Sequence, residues 1–151
     1  MKRRHFLALA SLSSSYLFAI DFRETKAKAW KARKLNDAAV KLYGEEKFAT
    51  LQVSDRVVIE ADKFIVPNAR QIPVKFRSDI EAKSVALFQT ANDQSLVAVF
   101  SINKGMIIDY ELNIRMDRKG TFFVVVEGLD DKLYYTRQFI DVNEIRCSSG
   151  G

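Results

Sequence analysis

The only cysteine of this 151-residue chain, Cys147, stands in the terminal run Arg146-Cys147-Ser148-Ser149-Gly150-Gly151. A thiol with no partner in its own chain, set among small residues, is poorly placed for a packed core or a structural disulfide. It is well placed to be presented to other proteins. A free cysteine has a pKa of about 8.5 and is mostly protonated at neutral pH, whereas attack and oxidative coupling need the thiolate. Arg146 favours that form, Glu144 and the terminal carboxylate oppose it, and solvent screens all three. No helix N-terminus and no histidine adjoins the cysteine, so much of its activation must come from a protein that it meets.

The only histidine is His5, in the opening run Lys2-Arg3-Arg4-His5-Phe6-Leu7. Without a second cysteine or a further histidine, the usual ligand sets for zinc, haem and iron–sulfur clusters are missing. Ser-His-Asp and Cys-His nucleophile arrangements are excluded for the same reason. Acids such as Asp109, Glu111, Asp130 and Asp131 read as solvated loop or strand-face residues rather than metal ligands. The expectation is therefore no cofactor, no metal and no catalytic residue of the chain's own.

The opening run is followed by an apolar stretch, Phe6 to Ile20, broken by Ser11, Ser13, Ser14 and Ser15. It is shorter than the ~20 apolar residues that a membrane span needs, so no stable membrane anchor is expected. The pattern Arg3-Arg4-His5-Phe6-Leu7 reads as a twin-arginine-type signal peptide over residues 1–19, cleaved after Ala19, with the periplasm as destination. Subtracting Lys2, Arg3 and Arg4 from the formal charge of +5 leaves +2 on the exported part, too little for a nucleic-acid partner.

The remainder is sized for one domain, residues 20–143, carrying a flexible arm over 144–151. Asp21 to Lys34 is rich in Lys and Ala around Trp30 and reads as a solvated lead-in whose Trp30 packs on the domain. A short helix is predicted over 37–43, with Asn36 as N-cap, Gly44 as the stop, and Val40, Tyr43 and Ala39 as its inward face. From Arg56 onward the period changes to two. Strands are predicted at Val57–Ala61, Ile72–Arg77, Val85–Phe88, Leu96–Phe100, Tyr110–Met116, Phe122–Val126 and Leu133–Val142. Asn92-Asp93, Asn103-Lys104-Gly105, Arg118-Lys119-Gly120 and Gly128 to Asp131 supply turns. Seven short strands with this turn spacing describe an immunoglobulin-like antiparallel β-sandwich. Pro67 and Pro73 suit loops, bulges or edge strands. Phe122 to Val126 does not alternate, and Tyr134-Tyr135 puts one aromatic on each face. Either the N-terminal segment covers the second face of this strand or another subunit does.

These features together resemble the SoxY family, the sulfur-carrier subunits of the bacterial Sox thiosulfate-oxidation system. The shared elements are the Met1-Lys2-Arg3-Arg4 start, the short helix, the sandwich, the segment Ile65-Val66-Pro67-Asn68 leading to Ile72-Pro73-Val74, and one cysteine in a small-residue tail. The family typically ends Gly-Gly-Cys-Gly-Gly. Here Ile145 and Arg146 precede the cysteine, and Ser148-Ser149 separate it from Gly150-Gly151, so the arm is freer after Cys147 than before it. The resemblance implies sulfur compounds attached covalently to Cys147, with Arg146, Ser148, Ser149, Gly150 and Gly151 presenting them. It also implies a heterodimer with a SoxZ-like subunit, and processing by SoxXA, SoxB and, where present, SoxCD-type enzymes. If the last strand ends near Asn143, about four residues at ~3.3 Å each let the sulfur stand roughly 13 Å from the body. Two rival readings are a peroxidase or sulfurtransferase working alone through Cys147, and an exported binding or assembly module whose cysteine is incidental.

Overall fold

The computed structural model describes residues 21–61 and 66–142. Four short helices come first: α1 (Phe22–Thr25), α2 (Ala27–Trp30), α3 (Leu35–Tyr43) and α4 (Glu45–Phe48). Eight strands follow: β1 (Gln52–Val53), β2 (Val57–Ala61), β3 (Ile72–Ser78), β4 (Ala82–Gln89), β5 (Leu96–Ser101), β6 (Ile108–Ile114), β7 (Gly120–Gly128) and β8 (Leu133–Ile140). They form a five-stranded sheet in the order β1-β8-β7-β4-β5 and a three-stranded sheet in the order β2-β3-β6. The chain is mostly β, as its periodicity predicts, with all seven predicted strands present. Every described ladder is antiparallel except β1, whose two residues run parallel to β8, and the isolated parallel bridge between Val66 and Val142. A two-residue strand is too short to show a period, which is why sequence reasoning misses it.

Alternation along each strand builds the inter-sheet core. Ile72, Val74 and Phe76 of β3 and Ile108 and Ile114 of β6 face Val85 and Leu87 of β4, Phe122, Val124 and Val126 of β7, and Ile140 of β8. The opposite face of the larger sheet is apolar too, and the N-terminal segment covers it. Ala29, Ala32, Ala38, Ala39 and Leu42 pack on Ala86, Phe88, Leu96, Val125 and Leu133. This is why Phe122 to Val126 lacks alternation: β7 is an interior strand of a sheet buried on both faces. Tyr134 joins the inter-sheet core and Tyr135 the helix layer, one aromatic per face as expected.

Three local expectations need correction. The lead-in is not merely solvated, since Ala29 and Ala32 are buried while Trp30 packs on the domain as expected, and Asp21 caps α1, its Oδ1 accepting from the backbone N–H of Arg23 at 2.8 Å. Trp30 then donates from Nε1 to the Phe22 carbonyl at 3.0 Å, with the Arg23 guanidinium 4.6 Å from its ring centroid. The third helix begins at Leu35, so Asn36 lies inside it rather than at the cap, and the preceding Lys34 makes no side-chain cap bond. Packing outweighs capping here, because Leu35 joins the apolar layer beneath the helix. Its most buried residues are Ala38, Ala39 and Leu42, with Tyr43 packed on the same layer as expected and Val40 only half-buried, since the two alanines let the helix backbone approach the sheet closely. Pro73 lies in the middle strand β3, but only at its second residue, one position beyond the last described β2 partner of that strand. At a strand start the missing N–H costs least.

Gly44 ends α3 as predicted, with φ 89° and ψ 160°. That combination is open essentially to glycine alone, and nothing would obstruct a Cβ there, so the cost of a side chain is purely conformational. Gly44→Ala is expected to lower unfolding free energy by about 1–3 kcal/mol in urea denaturation, with the fold retained. A loss within error of zero would show that the α3–α4 junction relaxes freely.

Candidate functional site

The predicted site residues Arg146, Cys147, Ser148, Ser149, Gly150 and Gly151 lie outside the described residues, as do the expected signal peptide over 1–19 and the expected arm over 144–151. What the structure places is the root from which they depart. Ile140 is fully buried at the end of β8, and Val142, 4% exposed, packs into the inter-sheet core. Val142 bridges Val66, whose backbone N–H donates to the Asp141 carbonyl at 2.9 Å. Gln138 Nε2 donates to the Ala61 carbonyl at 3.1 Å, tying β8 to β2 across the same edge. The chain is therefore fixed through Val142, one residue short of the expected end near Asn143. Five residue steps at most ~3.6 Å each limit Cys147 to about 18 Å from that anchor.

Loops from three directions surround the root. Gly120 of β7 pairs with Ile140, the last residue of β8, and Arg118-Lys119 immediately precede it in the chain. The Met116 backbone N–H donates to the Ala69 carbonyl at 2.9 Å, joining the 115–119 loop to Arg70 and the segment leading from Val66. Asn92 braces that loop, donating from Nδ2 to the Arg115 carbonyl at 2.9 Å and accepting from the Asp117 backbone N–H at 2.7 Å. Asp117 in turn holds Arg115 at 2.8 Å. The sequence offers Arg118-Lys119-Gly120 only as a turn signal; its nearness to the root follows from register.

A second polar constellation sits at the other end of β8, eight residues and roughly 23 Å away by strand rise. Ser84 Oγ donates to Glu127 Oε2 at 2.8 Å, and Lys47 from α4 pairs with Glu127 Oε1. Lys47 also reaches Asp131 at 3.0 Å, and Lys83 reaches the same carboxylate at 2.7 Å. The Tyr43 hydroxyl is buried near Ser84 with no hydrogen-bond partner among the described residues, and burial pushes its phenol far above the ordinary range. Next to this cluster opens a cavity of about 1030 Å³ with Lys83, Ser84 and Glu127 on its polar side and Phe22, Ile102 and Met106 on its apolar side. Of the acids expected to be solvated, Asp109 faces Lys75 at 3.5 Å, Asp130 accepts from the Tyr134 hydroxyl at 2.6 Å, and Asp131 is the paired one just described. Among the described residues no group of three or more His, Cys, Asp or Glu could hold a metal ion.

Hydrogen bonds from Lys83 and Lys47 hold the Asp131 carboxyl below its ordinary value of 3.8. A carboxylate with a depressed folded-state pKa contributes stability that is present above the unfolded value and is lost as pH falls through the folded one. Asp131→Asn should therefore lower the urea midpoint at neutral pH. The gap to the parent protein should close as pH drops below 3.8. Asn tolerates the positive φ of 63° at this position, so backbone strain does not confuse the comparison. An equal gap at every pH would mean that the pairs contribute nothing as ions.

Fold and root define a class first: a β-sandwich whose one sheet is covered by N-terminal helices and whose final strand feeds a cysteine-bearing terminus. Within that class the chain belongs to the SoxY family, since the model described as "Sulfur oxidation protein SoxY" matches residues 40–147, ending on Cys147 itself. A solved structure of the sulfur carrier protein SoxY from Chlorobium limicola f thiosulfatophilum is 29% identical, with a TM-score of 0.64 over 73% of this chain and 96% of that one. A superoxide reductase (neelaredoxin) from Ignicoccus hospitalis shares the fold alone, at 12% identity and a TM-score of 0.51 over 58% of this chain and 80% of that one. No curated protein matches the chain.

Proposed function

We propose that this chain is an exported, covalent sulfur carrier of the periplasm, holding sulfur intermediates on Cys147 while other proteins process them. The observation that carries this reading is the family match running up to the only cysteine in the sequence, beyond a strand anchored through Val142. The description "sulfur carrier protein" attached to the Chlorobium relative supports the same role. The carrier's own contribution is tethering. Once the body docks, the bound sulfur stays at high effective concentration in the partner's cleft, although the carrier itself supplies no acid, base or metal.

In this scheme the Cys147 thiol and thiosulfate join through a new S–S bond, losing one proton and two electrons to the haem protein SoxXA as oxidant. The adduct is R–S–S–SO₃⁻. Hydrolysis by SoxB then breaks the bond between the outer sulfane sulfur and the sulfonate, so that water leaves as part of sulfate, two protons are released and a persulfide remains. A SoxCD-type dehydrogenase, where present, oxidises that sulfane sulfur. A SoxZ-like subunit is the heterodimer partner in the same scheme.

The test is the intact mass of the protein isolated without reductant from thiosulfate-exposed cells, beside a reduced aliquot. Reducible additions matching sulfane sulfur, sulfonate or thiosulfonate are expected. A bare thiol under every sulfur condition would remove the carrier role and favour a binding module with an incidental cysteine.

A further inference from the structure

Three exposed cations flank the arm root from two sides. Arg118 and Lys119 immediately precede Gly120, whose register partner Ile140 ends β8 two residues before Val142. Arg70 is joined to the same loop through the bond between Met116 and Ala69. Among the described residues these three make no ion pair, whereas Arg115 is held by Asp117. Nine residues, 143–151, follow Val142, and by chain length their thiol can lie no farther than about 18 Å from it.

Resting on the carrier reading above, we propose that Arg70, Arg118 and Lys119 form an anion-holding collar whose occupant is the chain's own segment 143–151 when Cys147 carries a sulfonate-terminated adduct. A thiol is largely neutral near pH 7 and offers one weak acceptor, so the unloaded arm gains little from the collar. A thiosulfonate adds a full negative charge and three oxygen acceptors, the chemistry that guanidinium and ammonium groups bind best. The collar thus distinguishes the oxidised cargo from the bare thiol without any moving part in the fold. It also keeps that cargo against the body until a partner with a stronger anion site takes it.

The collar can be loaded without any partner enzyme by treating the full chain with tetrathionate. The Cys147 thiolate attacks an inner sulfur of tetrathionate, the central S–S bond breaks, thiosulfate leaves with the electron pair, and R–S–S–SO₃⁻ forms. The thiol proton goes to solvent. Intact mass verifies loading, and backbone amide NMR then compares the loaded protein with an iodoacetamide-capped control whose cap is neutral. Shifts of the Arg70, Arg118 and Lys119 amides on loading but not on capping, fading in about 0.5 M salt, are expected for an electrostatic contact. With Arg70→Glu, Arg118→Glu and Lys119→Glu combined, the rate of reaction with dianionic tetrathionate should fall about threefold or more, while that with neutral iodoacetamide should change less.

Unmoved collar amides in protein whose mass shows complete loading would overturn the proposal, and that comparison needs only the parent protein. The carrier reading is judged separately by the adduct found in cells, so either can fail alone.

Discussion

Cys147→Ser is expected to abolish every reducible sulfur adduct and, with it, thiosulfate-dependent sulfate formation in cells that rely on this chain. The expected effect is a complete loss, because no other residue can substitute: the sequence holds one cysteine, and its only histidine is His5. Serine is near in size, but its hydroxyl is far less acidic than a thiol and forms no stable bond to sulfur at neutral pH. Thermal unfolding should be unchanged, since serine is near in size to cysteine and the change touches no residue of the described inter-sheet core. Residual adduct in the Ser variant would place the chemistry elsewhere, and a marked fall in Tm would make Cys147 a packing residue.

Phe76→Ala is expected to cost more stability than any other change considered, about 3–5 kcal/mol, the range for deleting a buried phenylalanine ring. Phe76 is fully buried in the middle strand of the smaller sheet, paired in register with Ile59 and Tyr110. Its ring lies 5.5 Å from that of Tyr110 and 6.4 Å from that of Phe100, and Phe100 stacks on Tyr110 at 5.4 Å. These three rings join β5 of one sheet to β3 and β6 of the other along an edge where no ladder joins the sheets. Removing the central ring leaves a cavity that two rigid β-strands cannot close. Urea or thermal denaturation measures the loss, and a change below about 1 kcal/mol would mean that Phe100 and Tyr110 refill the space.

Much of this fold was legible because period-two alternation is a local property. Tyr110 to Ile114 alternates cleanly, and the structure gives it one buried and one exposed face. Gly44 was legible because glycine alone supplies the backbone angles that end α3. Phe122 to Val126 was ambiguous, since an apolar second face says that something covers the strand without saying what. The N-terminal segment does, through Ala29 in α2, Ala32 beyond its end, and Ala38 and Ala39 of α3, small residues whose burial depends on what they pack against. Leu35 shows the same limit: a cap residue was at hand in Asn36, yet the helix starts earlier because burial of one leucine outweighs one hydrogen bond.

The sequence by itself singled out Cys147 as the candidate reactive group, because it is the one cysteine and the one histidine, His5, lies far from it in the chain, and it determined the β-rich class through alternation. Both are properties of residue type and spacing. Tertiary structure decided which segments border the last described residues, because Gly120 meets Ile140 through the register of β7 on β8 and the 115–119 loop reaches Ala69 through the Met116 bond. It likewise decided that Lys47 of α4 should meet Glu127, 80 positions away in the chain. Neither meeting leaves a mark in local composition, since long-range pairing depends on how whole faces pack and not on any residue's immediate neighbours.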